Sequence, residues 1–399
     1  MIMQFRPGAE LHDHEGKWCG MTEQLGGLTD LAVSSVGGRV VYANDQLFAD
    51  RRNLIRPEPS AYQVETYGPD GKIYDGWETR RRRDPEGRPG HDFAIVRLGI
   101  PGRVRSVVVD TAHFRGNYPP FASVEATATE GYPVAQDLPE SAWTTILPKA
   151  ALKGNTENVF DVVSDRRWTH LRLSIYPDGG VARFRVLGEP VPDPRHLTGT
   201  IDLAALANGG AVVGCSDMFY SSAGKLILPG DPLTTEGGWE NARRRDGGND
   251  WVLFALAGAG TIRRAVIDTS YFLGNAPGEV RLTGTTAPED ESSWAELLPR
   301  QPLRADSVHR LRIGRDLVTH VRMDVYPDGG MSRVRLLGEL NEDALNTLTL
   351  RYLAALPDEH LEELLLAVPE LSLEDADALR ASRGSLVAVP GVLRHYLLD

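Results

Sequence analysis

The sequence predicts an all-β protein: two tandem, related jelly-roll β-sandwich domains followed by a short C-terminal helical extension. Three observations predict it. First, the chain contains itself twice. Gly76-Trp77-Glu78-Thr79 and its arginines match Gly238-Trp239-Glu240-Asn241, Asp110-Thr111 matches Asp268-Thr269, and Tyr176-Pro177-Asp178-Gly179-Gly180 matches Tyr326-Pro327-Asp328-Gly329-Gly330. The separations are 162, 158 and 150 residues, so the repeated unit is a whole domain, not the short period of a solenoid. Second, apolar residues alternate with polar ones. Leu171, Leu173 and Ile175 interleave with Arg172, Ser174 and Tyr176, and Ala182, Phe184 and Val186 interleave with Arg183 and Arg185. Third, helical periodicity is scarce between residues 28 and 339, whereas Gly- and Pro-rich turns are frequent.

Taken in order, residues 1–27 form an N-terminal segment and 28–189 the first repeat. A linker over 190–194 holds three prolines, 195–339 is the second repeat, and 340–399 is the helical extension. Within each repeat, Tyr-Pro-Asp-Gly-Gly supplies hairpin turn chemistry: proline presets one turn angle and glycine tolerates positive φ. Val107 to Val109 and Ala265 to Ile267 are short apolar runs suited to buried strands. In the extension, Leu345, Leu348, Tyr352 and Leu353 keep helical spacing, as do Leu361, Leu364, Leu365 and Val368. Ser372 stands as an N-cap ahead of Glu374 and Asp375. This part carries no chemistry and is expected to pack on the sandwiches or on another subunit.

The 399 residues carry 41% hydrophobic and 25% charged side chains, the balance of an ordinary soluble protein. A net charge of −12 argues against a nucleic-acid binder, which needs basic surface. It leaves room for a small anionic ligand held by a local cationic cluster. Thirty-eight arginines against five lysines reflect coding bias more than chemistry. The two cysteines, Cys19 and Cys215, occupy unrelated places, which fits a reducing compartment. No apolar run reaches membrane-spanning length and residues 1–8 lack a signal-peptide pattern, so a cytoplasmic protein is expected.

The residues with chemistry gather around the repeated motifs. Asp110 and Asp268 each precede a loop ending in Gly-Asn, at Asn117 and Asn275, and an Asp there commonly binds turn N–H groups. Trp77 and Trp239 fit a sandwich edge. The differences between copies draw attention next. His113 and Arg115 stand where the second copy has Tyr271 and Leu273, His91 where it has Asn249, and Arg80 where it has Ala242. Either the first copy is equipped for a task its twin lacks, or these are exposed loop positions that drifted. The run Arg80, Arg81, Arg82 and Arg83 is either a solvated face or a carboxylate clamp, since guanidinium groups bind carboxylates bidentately. Strand alternation allows two of the four to share one site. His12-Asp13-His14-Glu15 has metal-ligand residue types in an order that matches no zinc signature. His170 and His320 occur in both copies and are expected to be structural. P-loop, nucleophile-elbow and dinucleotide patterns are absent.

Together, Gly-Trp-Glu-Thr-Arg-Arg-Arg, His91-Asp92-Phe93 and Asp110-Thr111-Ala112-His113-Phe114-Arg115-Gly116-Asn117 resemble the allantoicase family, as do Asn44-Asp45-Gln46-Leu47-Phe48-Ala49 and Asn53-Leu54-Ile55. The resemblance covers roughly 28–339 and implies two jelly-roll repeats. It also implies hydrolysis of allantoate to ureidoglycolate and urea, with allantoate as the small-molecule partner; the sequence shows no obvious metal-ligand triad, so no cofactor or metal is expected. Expelling urea needs a general acid, and the substrate carboxylate needs a clamp. The expected assignment is acid/base work by His113, Glu78 or His91. Arg115 with Arg80 or Arg82 binds the carboxylate, and Asp110 and Asn117 orient the ureido groups. The extension lies outside the resemblance, so a homo-oligomer is left open. Two further readings remain: a urea-releasing relative specific for ureidoglycolate, and a non-catalytic tandem jelly-roll binding module, including a degenerate paralogue with a scaffold role.

Overall fold

The computed structural model describes residues 28–62, 64, 66–69, 71–83, 90–314, 316–368, 371–382 and 389–398. The His12 to Glu15 run and Cys19 lie outside them.

One strand organises each repeat. Asp92–Asp110 runs unbroken for 19 residues. Its first half pairs with Arg167–Tyr176 on one side and Arg39–Ala43 on the other. Its second half pairs with Arg183–Pro190 and Glu157–Asp161. The strand therefore passes from one sheet of the sandwich into the other. The first sheet continues through Phe121–Thr127 to Thr144–Ala151, and the second ends at Thr29–Asp30. Every pairing is antiparallel. The sequence singles out only the short run Val107 to Val109 here, and the strand is far longer. Gly99 and Gly102 lie within it and let other backbone approach: a Cβ on Gly102 would sit 2.2 Å from the Glu189 carbonyl oxygen.

The second repeat reproduces the arrangement around Asp250–Asp268, which joins Leu317–Tyr326 and Ala211–Cys215 in one sheet to Arg333–Leu340 and Val308–Arg312 in the other. Both cores are the inward rows the alternation predicts. Leu171, Leu173, Ile175, Phe184 and Val186 are fully buried in the first, and Val321, Met323, Val325, Val334 and Leu336 in the second. Each such side chain stabilises the fold by about 1.5–3 kcal/mol.

The other face of the hairpin departs from simple alternation. Arg183 is 1% exposed, covered by the segment that follows Ile55. Its guanidinium donates to the carbonyl oxygens of Glu58 (2.8 Å) and Asp75 (3.1 Å) and pairs with the Asp75 carboxylate at 2.9 Å. Arg333 repeats this role with the carbonyl oxygens of Gly230 and Gly237, and burial pushes its pKa down to about 10. His170 is buried and His320 half-buried, and each places Nδ1 2.9 Å from the preceding threonine hydroxyl. Burial, with Arg97 nearby, lowers the His170 pKa to about 4.

Among the described residues, four helices follow the second repeat: Glu342–Ala355, Asp358–Ala367, Leu373–Ser382 and Gly391–Leu398. They bury Tyr352, Leu353, Leu361, Leu364 and Leu365 in a third core that includes Val191 of the linker. Arg351 reaches Glu189 at 3.0 Å and the Arg167 guanidinium lies over the Tyr352 ring, so the extension packs on the first repeat. No helix among the described residues is long and apolar enough to cross a membrane.

Candidate active site

The loops at one end of the first sandwich enclose a cleft of about 870 Å³, lined by Glu78, Thr79, Arg81, Arg82, Arg83, Asn117, Tyr118 and Asp178, with Phe48, Lys72 and Tyr74 at its wall. Three features of the sequence build it. Trp77, with no exposed surface, anchors the two-residue strand Trp77–Glu78 by donating from Nε1 to the Asp45 carbonyl oxygen at 2.8 Å. That strand pairs with Gly180–Val181, which fixes the Glu78 backbone. The Gly179-Gly180 turn then grips the neighbouring loop. Gly180 N–H donates to the Asn117 carbonyl oxygen at 2.7 Å, and Gly179 has φ +142°. A Cβ on Gly180 would fall 2.0 Å from the Phe114 ring, so only glycine fits. The Tyr176–Pro177 peptide is cis, where the sequence suggests an ordinary proline turn.

Glu78 is the central group. It is 8% exposed, and its Oε1 accepts a hydrogen bond from Asn117 Nδ2 at 2.7 Å. Among the described residues it has no cationic partner. Burial raises its pKa above the ordinary carboxylate value, and the Asn117 hydrogen bond only partly opposes this. Arg82 is committed to structure. Its N–H donates to Asp178 Oδ2 and its Nη1 to Asp92 Oδ1, both at 2.7 Å. Arg81 and Arg83 line the same cleft, exposed at its mouth, with no carboxylate partner among the described residues.

The structure thus brings Glu78, Asn117 and Arg82 together and leaves the other expected site residues outside the cleft lining. Arg80 turns back to an ion pair with Asp45. Arg115 is exposed beyond the lining. Asp110 accepts from Ala112 N–H at 2.8 Å, as Asp268 does from Ser270 N–H, so both cap their own turns. The His91 ring lies 4.7 Å from the Tyr176 ring, and burial with Arg172 and Arg82 nearby lowers its pKa. His113 has φ +69°, its N–H donates to Asn155 Oδ1, and its Nε2 is 3.0 Å from the Ser60 carbonyl oxygen. Tyr271 adopts φ +70° at the matching place. The His/Tyr difference follows from what covers each ring. Trp77 lies 28 positions after Ala49, while Trp239 lies 18 after Ser221, and the extra stretch packs Ser60 and Tyr62 on His113. The same stretch carries Lys72 and Tyr74 to the cleft wall, where Lys72 Nζ is 3.3 Å from the Tyr62 hydroxyl.

The second repeat has a matching cleft of about 590 Å³. Asn275 Nδ2 donates to Glu240 Oε1 at 2.7 Å, Arg243 and Arg245 stand at the mouth, and Arg244 is tied to Asp328 and Asp250. Its glutamate is half-buried where Glu78 is buried. The groups that line both clefts are therefore those the copies share, and the differences between copies lie mostly in the surrounding support. Identity between the copies at Glu78/Glu240 and Asn117/Asn275 was the signal that marks the site. Among the described residues no group of three or more His, Cys, Asp or Glu side chains could hold a metal ion.

Fold and site together define a tandem jelly-roll protein whose repeats each present a carboxylate–amide pair beneath a rim of arginines, suited to a small, polar, anionic ligand. The pattern described as the Allantoicase repeat matches residues 29–191 and 201–341, and the chain belongs to the allantoicase family. A protein of Nocardia farcinica named probable allantoicase is 52% identical over 317 residues, covering 78% of this chain and 94% of that one. Another from Streptomyces coelicolor is 45% identical over 334 residues, 81% of this chain and 88% of that one. The crystal structure of allantoicase from Saccharomyces cerevisiae superposes with a TM-score of 0.67 at 34% identity, covering 78% of this chain and 93% of that one. The helical extension follows the second matched segment.

Proposed function

We propose that this protein hydrolyses allantoate to ureidoglycolate and urea, with Glu78 as the proton carrier. The observation that carries the assignment is the burial of Glu78 without a cation, which raises its pKa and favours the protonated acid. Allantoate has one carbon bearing a carboxylate and two ureido groups. Glu78, protonated on the oxygen not held by Asn117, gives its proton to the nitrogen of one ureido group. The carbon–nitrogen bond breaks, its electron pair leaves with urea, and the second ureido nitrogen shares its lone pair with the carbon. Water adds to that carbon while its proton returns to the Glu78 carboxylate. One water is consumed, and ureidoglycolate and urea are formed. Arg81 and Arg83 supply the carboxylate clamp in place of Arg80, Arg82 and Arg115, because they alone of the run face the cleft without a committed partner among the described residues. Asn117 orients Glu78 by donating to its Oε1, which leaves the other carboxyl oxygen for the substrate. Asp110, His91 and His113 serve the loops instead of the reacting atoms.

Turnover in ¹⁸O-labelled water tests this route. Expulsion of intact urea puts the label in the hydroxyl of ureidoglycolate and leaves urea unlabelled. Label recovered in carbon dioxide, with ammonia in place of urea, would mean attack at a ureido carbonyl and would remove Glu78 from the assigned role.

A further inference from the structure

In the second repeat the strand Val308–Arg312 pairs with the long strand Asp250–Asp268 and sets Arg312 directly across from Arg264. Like charges facing each other across a sheet destabilise it. A register shift between Ile262 and Arg264 leaves Arg263 exposed beside Arg264. The three arginines, with Thr200, Ile313 and Leu337, line a cavity of about 570 Å³. It shares no lining residue with either cleft.

The charges of this cavity do not balance. Arg263 pairs with Glu339 at 2.8 Å, and the Thr200 hydroxyl donates to the other Glu339 oxygen at 3.3 Å. Arg264 and Arg312 have no carboxylate partner among the described residues, so two positive charges are left over. The first repeat shows that the fold does not require them. At the matching register Ser106 lies across from Asp161, where the second repeat has Arg264 and Arg312. Arg105, in the place of Arg263, is held by Glu189 at 3.0 Å and by Asp165 at 2.9 Å. One copy of the sheet thus supplies its own carboxylates here, and the other gathers surplus cations around a cavity.

From this surplus we infer that the cavity is a binding site for a small organic dianion, a phosphate ester or a short dicarboxylate, held between Arg264 and Arg312. Guanidinium forks match the oxygens of either group and bind them by charge-assisted hydrogen bonds. The volume falls within the range of about 300–1,000 Å³ usual for small-molecule sites, so an organic body fits as well as the charged group. Ile313 and Leu337 offer that body an apolar surface. An anion between the facing arginines removes their repulsion and ties Val308–Arg312 to the long strand, which stabilises the second sandwich. No bond is made or broken there, and the site stands apart from the reaction proposed above.

Thermal melts and amide hydrogen exchange of the purified full chain test it, with inorganic phosphate or succinate replacing chloride at a constant ionic strength of about 150 mM. At least one probe should raise the melting temperature saturably and slow exchange in the strand Val308–Arg312. A response to phosphate marks a phosphate ester as the ligand class, and a response to succinate marks a dicarboxylate. Arg264→Gln should weaken the effective probe about 10- to 150-fold, the loss of a charge-assisted hydrogen bond. Arg312→Asp places the residue type of Asp161 across from Arg264, so it should melt at or above the wild type in chloride and lose the response to either probe. Both variants should release urea as the wild type does, which keeps this result separate from the reaction. No response to either probe would overturn the inference. So would a response that survives both substitutions, slowed exchange confined to the clefts, or a lower melting temperature of Arg312→Asp in chloride.

Discussion

Glu78→Gln separates chemistry from folding at this site. Glutamine has the same shape, and its Oε1 can keep the 2.7 Å hydrogen bond from Asn117, so the loop at Gly116-Asn117 stays in place. What is lost is the transferable proton. A positioned acid contributes about 10²–10⁴-fold, equal to about 2.7–5.5 kcal/mol of barrier, and kcat should fall by that factor. Stability should move the other way. The folded-state pKa of Glu78 is raised by burial, so the folded protein holds this proton more tightly than the unfolded chain. Its contribution to stability is therefore lost as pH rises from the unfolded carboxylate value through the folded one. At neutral pH the wild type has paid that electrostatic penalty and the glutamine variant has none. The variant should unfold at the same temperature as the wild type or higher, and the gap should close at low pH. Stopped assays of urea release and thermal melts at pH 4 and pH 7.5 read both quantities. Near-normal kcat would refute the proton-carrier role. A large loss of Tm at neutral pH would mean that Glu78 holds the fold through ionic contacts that the structure lacks.

Other consequences follow from the same geometry. Asn117→Ala removes the hydrogen bond that lowers the Glu78 pKa, so the descending, alkaline limb of the kcat profile should move to higher pH; an unmoved limb would detach Glu78 from it. Arg81→Ala and Arg83→Ala should each reduce kcat/KM about 10- to 150-fold, mainly through KM, as expected for a charge-assisted hydrogen bond of about 1.5–3 kcal/mol; Arg80→Ala should change kcat/KM little. His113→Tyr installs the side chain that the second repeat uses at the same backbone angle, so the fold and kcat should be retained while melting temperature falls slightly with the lost Ser60 contact. A kcat loss matching that of Glu78→Gln would return the imidazole to the reaction.

The architecture was legible because its signals are local and doubled. Tyr-Pro-Asp-Gly-Gly, the alternation from Leu171 to Val186, and the Gly-Trp-Glu motif each occur twice with matching spacing, and a period-2 pattern has only one way to bury its apolar face. The 19-residue strands were not legible, since Gly99, Pro101 and Gly102 punctuate the sequence like a turn while other backbone holds them in the ladder. Nor was the burial of Arg183. Its polar row is covered by a segment more than a hundred residues away, and nothing near Arg183 announces that cover. The site was half legible. Glu78 and Asn117 stand in the shared motif, and their contact requires the Gly179-Gly180 turn to hold Asn117, a tertiary fact. The differences between copies pointed to His113, Arg115, His91 and Arg80; of these His113 packs on the longer segment after Ile55, His91 packs on Tyr176, Arg80 pairs with Asp45 and Arg115 is exposed. Alternation implied two of the four arginines at one site, whereas Arg81, Arg82 and Arg83 all line the cleft, and Asp45 holds Arg80 while Asp92 and Asp178 hold Arg82.

The most direct measurement is urea release from allantoate by the purified, chelator-treated protein, with ureidoglycolate as a parallel substrate. The account expects prompt release of one urea per allantoate with ureidoglycolate as co-product, and loss of that release in Glu78→Gln. Absence of urea from allantoate, persisting after divalent metals are restored, would contradict it and leave the paired clefts as binding sites without turnover.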